Sequence, residues 1–96
     1  MDKTRPAVIL TRGTIRAHLS NVTVAPITTT VRGISTEVPV GRRNGLDQDS
    51  VISCDTIGTV PASAVGAVIG ALLPSQEQQL TAAIAAAFDL EEVEWK

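Results

Sequence analysis

The chain has 96 residues and a formal net charge of −2, with 44% hydrophobic and 19% charged residues, which is typical of one small globular domain. One cysteine, Cys54, and one histidine, His18, exclude an intrachain disulfide, a cysteine-based zinc cluster and catalysis by paired histidines within one chain. Two aromatic residues and no tyrosine exclude the aromatic stacking surfaces on which several RNA-binding modules hold unpaired bases.

The first sixty residues are rich in valine, isoleucine and threonine, which favours strands there. The apolar run 7–10 predicts a buried first strand. Residues 21–27 predict a second strand, whose end must be an edge or a bulge because Pro26 cannot donate to a ladder. Alternation over 36–40 predicts a third, half-exposed strand, and 50–60 predicts a long fourth strand.

Turns and a helix follow these strands. The pair Asn44-Gly45 is a strong turn signal, and Pro61 with Ser63 suggests a short helical turn. Residues 66–73 fit a strand or a buried helix equally well, because so short an apolar run has no decisive period.

The C-terminal part predicts an amphipathic helix. Ser75 and Gln78 form a capping-box pattern, and Leu80, Ile84 and Phe88 then recur on one helical face. The alanines of this helix favour helix formation, and they also suit a subunit interface. The predicted fold is therefore one domain over residues 1–96, mainly β with a C-terminal helix, and a small β-barrel fits this order.

Residues 56–76 carry no charge, but two prolines and several hydroxyl side chains interrupt them, so we expect no membrane helix. No charged segment leads into an apolar one at the N-terminus, which predicts a cytoplasmic protein without a secretory signal.

Three places could carry chemistry. Arg5, extended by Pro6, can present its guanidinium to a phosphate, although a solvated arginine is the commoner outcome. Thr28 to Thr30 run into Arg32, so hydroxyls and a cation could surround an anionic oxygen, or merely end a strand. Asp55 lies inside an otherwise apolar predicted strand, 51–60, where alternation favours a solvent-facing carboxylate.

Together these segments are similar in order and spacing to the MazF/PemK family of endoribonuclease toxins. The matching stretches are Arg5 to Leu10, Val22 to Thr30, Thr36 to Val38, Asp49 to Asp55 and Thr59-Val60. No single stretch is diagnostic, but the ordered set covers about residues 5–90, and it most resembles the mycobacterial type of MazF.

The resemblance implies an SH3-like barrel that forms a homodimer and is neutralised by a MazE-type antitoxin. It implies a sequence-specific, metal-independent ribonuclease, with no cofactor, that cleaves single-stranded RNA by 2′-hydroxyl attack to give a 2′,3′-cyclic phosphate and a 5′-hydroxyl. The family's catalytic pair corresponds to Arg5 and Thr28, and Thr29, Arg32 and Asp55 are predicted to bind RNA. Family members with the acidic position of Asp55 often have an arginine where this chain has Ser53, which weakens a role for Asp55 as a base.

Charge is divided unevenly along the chain. Residues 1–45 carry a net charge of +5, and residues 46–96 carry −7. A basic half suits a polyanion partner, and Arg5, Arg12, Arg16 and Arg32 flank Thr28.

The family's usual first strand is short or missing before Arg5, which predicts reduced activity or stability. Two other functions stay open, a CcdB-like binding module and an inactive protein that only captures antitoxin.

Overall fold

The structure, a computed structural model, describes residues 5–11, 13 and 18–88. Within these ranges it contains five strands and one long helix. The strands are β1 (Ala7–Ile9), β2 (Asn21–Thr28), β3 (Glu37–Val40), β4 (Ser50–Ser53) and β5 (Gly58–Pro61), and the helix is Pro74–Phe88. This confirms the predicted class, mainly β with a C-terminal helix.

The central strand is β2, which pairs antiparallel with β1, β4 and β5, while β3 pairs with β4. The sequence predicted an edge or a bulge at Pro26. Since β2 is the central strand, the outcome is an interruption of the ladder and not an edge. Backbone bonds from Leu10 to Thr23 and from Ile27 to Pro6 face β1, so alternation directs position 26 to the other side. On that side β2 pairs with β5 up to Val24 and with β4 from Ile27, and Pro26 lies in the gap between the two ladders. The missing N–H of Pro26 therefore costs no ladder hydrogen bond.

The prediction of one long strand over residues 50–60 is wrong. Between the pairs Ile27–Ile52 and Val24–Gly58, β2 advances three residues while the opposite chain advances six. The surplus forms a 3-10 turn, Cys54–Thr56, that leaves the ladder. The interruption lies opposite Ala25 and Pro26, so the proline and the bulging turn occur together.

The helix packs on the sheet through a small buried face. Its Ala83 belongs to a core with Ala25, Val38, Ile52 and Cys54, and Leu80 and Ile84 pack beside them. Phe88, predicted on the same face, is instead 57% exposed.

The predicted capping box is also displaced. The helix begins at Pro74, and the side chain of Gln76 accepts from the N–H of Leu73 at 2.9 Å, so Gln76 takes the role assigned to Gln78.

Residues 66–73 form neither a strand nor a buried helix, since they run as an irregular and mostly exposed segment. This segment crosses the 3-10 turn Arg42–Asn44 where two glycines meet. A Cβ on Gly70 would lie 1.8 Å from the carbonyl oxygen of Asn44, and one on Gly45 would lie 2.0 Å from that of Ile69. Only glycine permits this close approach at both positions.

The crossing is fixed by a buried amide pair. Asn44 Nδ2 donates to Gln76 Oε1 at 2.6 Å, and Gln76 Nε2 donates to Asn44 Oδ1 at 3.0 Å. Further bonds join this pair to the backbone of Gly41, Ala71, Leu73 and Pro39. Gln76 is completely buried, yet each of its amide atoms has partners.

Candidate active site

Arg5 lies just before β1, and Thr28 is the last residue of the paired strand β2. Ala7 pairs with Pro26, and the N–H of Ile27 donates to the carbonyl oxygen of Pro6 at 3.1 Å. Continued by one residue beyond this bond, the register brings Arg5 level with Thr28. The two residues that the family resemblance singles out, 23 positions apart in the sequence, therefore lie at the same end of the β1–β2 pair.

Thr28 lines an open cavity of about 270 Å³ beside this pair. The cavity is lined by Pro26, Thr28, Thr30, Arg32, Glu37, Ser53, Asp55 and Thr56. The first four come from the end of β2 and from the segment that follows it. Thr29, predicted to bind RNA, is exposed and lies outside this lining.

The Thr28 hydroxyl has a defined orientation. Its oxygen accepts a hydrogen bond from the backbone N–H of Thr30 at 3.1 Å. Since a hydroxyl carries one donor and two acceptor sites, this contact leaves the proton of Thr28 available for a bound anion.

Asp55 reaches the cavity because the turn Cys54–Thr56 leaves the ladder. Its carboxylate is exposed as predicted, but because of this turn and not because of strand alternation, and Oδ2 accepts from the Thr36 hydroxyl at 2.6 Å. Cys54 donates its N–H to the carbonyl oxygen of Thr36 at 3.0 Å, which joins the turn to the start of β3. Asp55 is thus exposed but held in one position.

Arg32 follows β2 in the loop that borders the cavity. The backbone N–H groups of Arg32 and Gly33 both donate to the carboxylate of Glu37, at 3.1 and 2.8 Å to Oε1. Arg32 also approaches Oε2 at 3.3 Å. Gly33 has a φ of 73°, in the left-handed region that lets two successive N–H groups converge on one anion.

Cys54 lies beneath the cavity, with its side chain buried. Burial raises the pKa of this thiol, and the neighbouring charge of Asp55 raises the pKa further. A thiol of raised pKa is protonated at neutral pH and a poor nucleophile, so Cys54 serves as a small core residue.

The structure brings three of the five predicted site residues, Thr28, Arg32 and Asp55, together around the cavity. Arg5 lies before the paired residues of β1 and outside the cavity lining, and it is level with Thr28 when the β1–β2 register is continued. Arg12 and Arg16 lie outside the described residues. Sequence reasoning missed Glu37 in the site, because its alternation in β3 indicated only an exposed strand residue.

His18, for which no partner motif exists, is exposed. Within residues 5–11, 13 and 18–88, the histidine, cysteine and acidic side chains form no group of three that could hold a metal ion. Over the same ranges, no helix has the length and apolarity needed to cross a membrane.

Comparison with known proteins identifies the family. A family model for the PemK-like, MazF-like toxins of type II toxin–antitoxin systems matches residues 1–88. The chain is 60% identical over 91 residues to endoribonuclease MazF3 of Mycobacterium tuberculosis, covering 95% of this chain and 88% of that protein.

Two solved structures agree with this match. The structure of the Mycobacterium tuberculosis toxin MazF-mt6 is 60% identical and superposes with a TM-score of 0.90, over 96% of this chain and 93% of that one. An endoribonuclease from a mycobacterial species, solved in complex with its cognate antitoxin, is 26% identical, with a TM-score of 0.80 over 93% and 84% of the two chains.

The identity is high and extends over nearly the whole of both chains, so it confirms the predicted enzyme class, endoribonuclease, together with the mycobacterial type. The chain belongs to the PemK-like, MazF-like family of toxins of type II toxin–antitoxin systems.

Proposed function

We propose that this chain is a sequence-specific toxin that cleaves single-stranded RNA in the cytoplasm without a metal ion or other cofactor. The observation that supports the proposal is that Thr28 lines a polar cavity and that the β1–β2 register, continued past Ala7–Pro26, brings Arg5 level with it. A fixed cation and a hydroxyl donor on one face match the needs of a phosphate whose charge increases during reaction.

The proposed reaction uses the 2′-hydroxyl of the RNA as nucleophile. Its oxygen bonds to the adjacent phosphorus, the bond from phosphorus to the 5′-oxygen breaks, and the 5′-oxygen takes up a proton. The products are a 2′,3′-cyclic phosphate and a 5′-hydroxyl. The enzyme then needs only to remove and supply protons and to stabilise charge on the non-bridging oxygens.

Arg5 and Thr28 divide that stabilisation. The guanidinium of Arg5 supplies two parallel donors, and Thr28 supplies the proton that its contact with Thr30 leaves available. Because the arginine guanidinium stays charged in proteins, we assign Arg5 an electrostatic role rather than proton transfer.

The remaining cavity residues are proposed to hold the RNA on either side of the cleaved bond. Arg32 suits a flanking phosphate, and Asp55 can accept from a base amino group or a ribose hydroxyl. Thr29, exposed beside the cavity, is proposed to contact the strand where it leaves the site.

Two protein partners belong to the proposal, a second copy of the chain and a MazE-type antitoxin. The antitoxin is supported by the mycobacterial relative solved with its cognate antitoxin. Large exposed side chains support both partners, since Val68 is 90% exposed and Phe88 and Ile69 are more than half exposed.

The decisive experiment incubates the purified chain with a long RNA in the presence of EDTA and maps the new ends. We expect discrete cuts whose downstream fragments carry 5′-hydroxyls, and their loss in Arg5→Ala. Arg43→Ala is the matched control, because Arg43 is exposed but outside the cavity. Absence of cuts under every condition would refute the proposal and favour a binding module, and cuts that persist in Arg5→Ala would indicate a contaminant.

A further inference from the structure

Glu37 is an acidic residue in a cavity that is proposed to bind a polyanion. It lines the cavity with Thr28, Arg32 and Asp55. By charge alone, a carboxylate here repels phosphates and weakens RNA binding. Its contacts suggest the opposite effect.

Both carboxylate oxygens of Glu37 face the backbone of the loop that carries Arg32. Three contacts of 2.8–3.3 Å connect them to the N–H groups of Arg32 and Gly33. Hydrogen bonds to an ionised acceptor are stronger than neutral ones, and they direct part of the negative charge away from the cavity. The loop therefore depends on Glu37 for its conformation.

The backbone of Glu37 is itself fixed by the sheet. It is the first residue of β3, where it pairs with Ser53, and its N–H donates to the carbonyl oxygen of Ile34 at 3.1 Å. The next residue, Val38, is completely buried in the core. A side chain anchored in this way can hold an otherwise exposed loop in a fixed position relative to the sheet.

We propose that Glu37 is a positioning residue for RNA binding. By holding the backbone of Arg32 and Gly33, it keeps the Arg32 guanidinium at the cavity beside Thr28, where it meets a phosphate flanking the cleaved bond. This inference rests on the proposed function, since it assigns Glu37 a task in binding the same RNA.

The test compares kcat and KM for RNA cleavage in Glu37→Ala and Glu37→Gln. Removal of the side chain should raise KM about fivefold, the scale of one lost hydrogen bond, with kcat within about twofold. Glu37→Gln should stay close to the starting KM, because its carbonyl oxygen can accept from both N–H groups. Glu77→Gln, which removes the same charge from the exposed first helical turn, is the matched control.

The sign of the effect separates positioning from charge. If Glu37 merely repels RNA, both substitutions lower KM, and this result would overturn the inference. A second criterion is the double variant with Arg32→Ala. Positioning predicts that it matches Arg32→Ala alone, because the loop then has no guanidinium to place, whereas additive losses would overturn the inference.

Two measurements keep this result distinct from failure of the proposed function. Amide resonances of Arg32 and Gly33 should lose protection from hydrogen exchange in Glu37→Ala, while the melting temperature stays nearly unchanged. If the chain binds RNA without cleaving it, the same comparison is made on Kd by fluorescence anisotropy. If the chain neither binds nor cleaves any RNA, both ideas fail, whereas unchanged Kd and exchange in Glu37→Ala overturn the inference alone.

Discussion

The two ends of β3 carry polar clusters of opposite character. At its start, Thr36 and Glu37 bond to Asp55 and to the Arg32 loop in a charged cluster that is largely open to solvent. Beyond its end, Asn44 and Gln76 form a neutral amide pair that is closed to solvent. The remaining three residues of β3, Val38 to Val40, lie between the two.

The difference follows from what each environment permits. A buried amide is tolerated when all its donors and acceptors are paired, and it then costs little and fixes one arrangement of the chain. A charged group is stable where water reaches it, and there it also stays accessible to a ligand. The closed cluster therefore holds the fold together, and the open cluster is available to the substrate.

The largest expected effect is at the open end, from Thr28→Val. This change preserves shape but removes the hydroxyl, so RNA cleavage should fall about 10²–10³-fold, the scale of one lost oxyanion donor. Because Thr30 is exposed, its N–H can turn to water, and the melting temperature should hardly change. Single-turnover cleavage and thermal denaturation measure the two effects.

Thr28→Ser serves as the control, since it keeps the hydroxyl and should retain most activity. A large drop in melting temperature for Thr28→Val, or full activity, would contradict the separation of the two clusters.

The closed end should show the reverse pattern in Gln76→Leu. Leucine leaves the N–H of Leu73 and the carbonyl oxygen of Pro39 without their partner, and it takes two bonds from Asn44. Unsatisfied buried groups cost about 1–3 kcal/mol each, so we expect a loss of about 3 kcal/mol in the free energy of unfolding. In a domain of this size, the melting temperature should fall by more than about 10 °C.

Gln78→Leu, the same substitution two positions along at an exposed site, should leave the melting temperature nearly unchanged. Equal losses in the two variants would show that the buried pair contributes nothing special. Below its lower melting temperature, Gln76→Leu should cleave RNA at nearly the original kcat.

Patterns within single elements were predictable from the sequence. Alternation identified β3, the Asn44-Gly45 pair identified a turn, and helical spacing identified the last helix. The association of Arg5 with Thr28 came from the family resemblance, and the β1–β2 register, continued past Ala7, brings the two positions level.

What depended on distant partners was not predictable. Pro26 alone predicted an edge or a bulge, but it did not reveal that the opposite segment would leave the ladder in the turn Cys54–Thr56. Gln76 was passed over because its partner Asn44 lies 32 residues away. Residues 66–73 lack a period because contacts with the Gly45 turn determine their path.

The smallest expected effect is at Cys54, the buried residue directly before Asp55. Its pKa is raised by burial and then by Asp55, so the folded chain retains a thiol proton that the unfolded chain loses as pH rises. The contribution of the thiol to the free energy of unfolding is fully present below the ordinary thiol pKa. It is lost as the pH rises through the raised pKa of the folded chain. Stability should therefore decrease above about pH 9, by at most about 1.4 kcal/mol per pH unit for one proton.

Denaturant unfolding of the original chain and of Cys54→Ala across this pH range isolates that contribution. Cys54→Ala starts from a lower stability because it leaves a small cavity, but its stability should decrease less steeply with pH. Parallel curves would mean that the thiol does not couple to folding. A steeper decrease in the original chain would show that burial holds the Cys54 proton in the folded state. The next residue, Asp55, faces the cavity, so the solvent-accessible cluster would begin between these two residues.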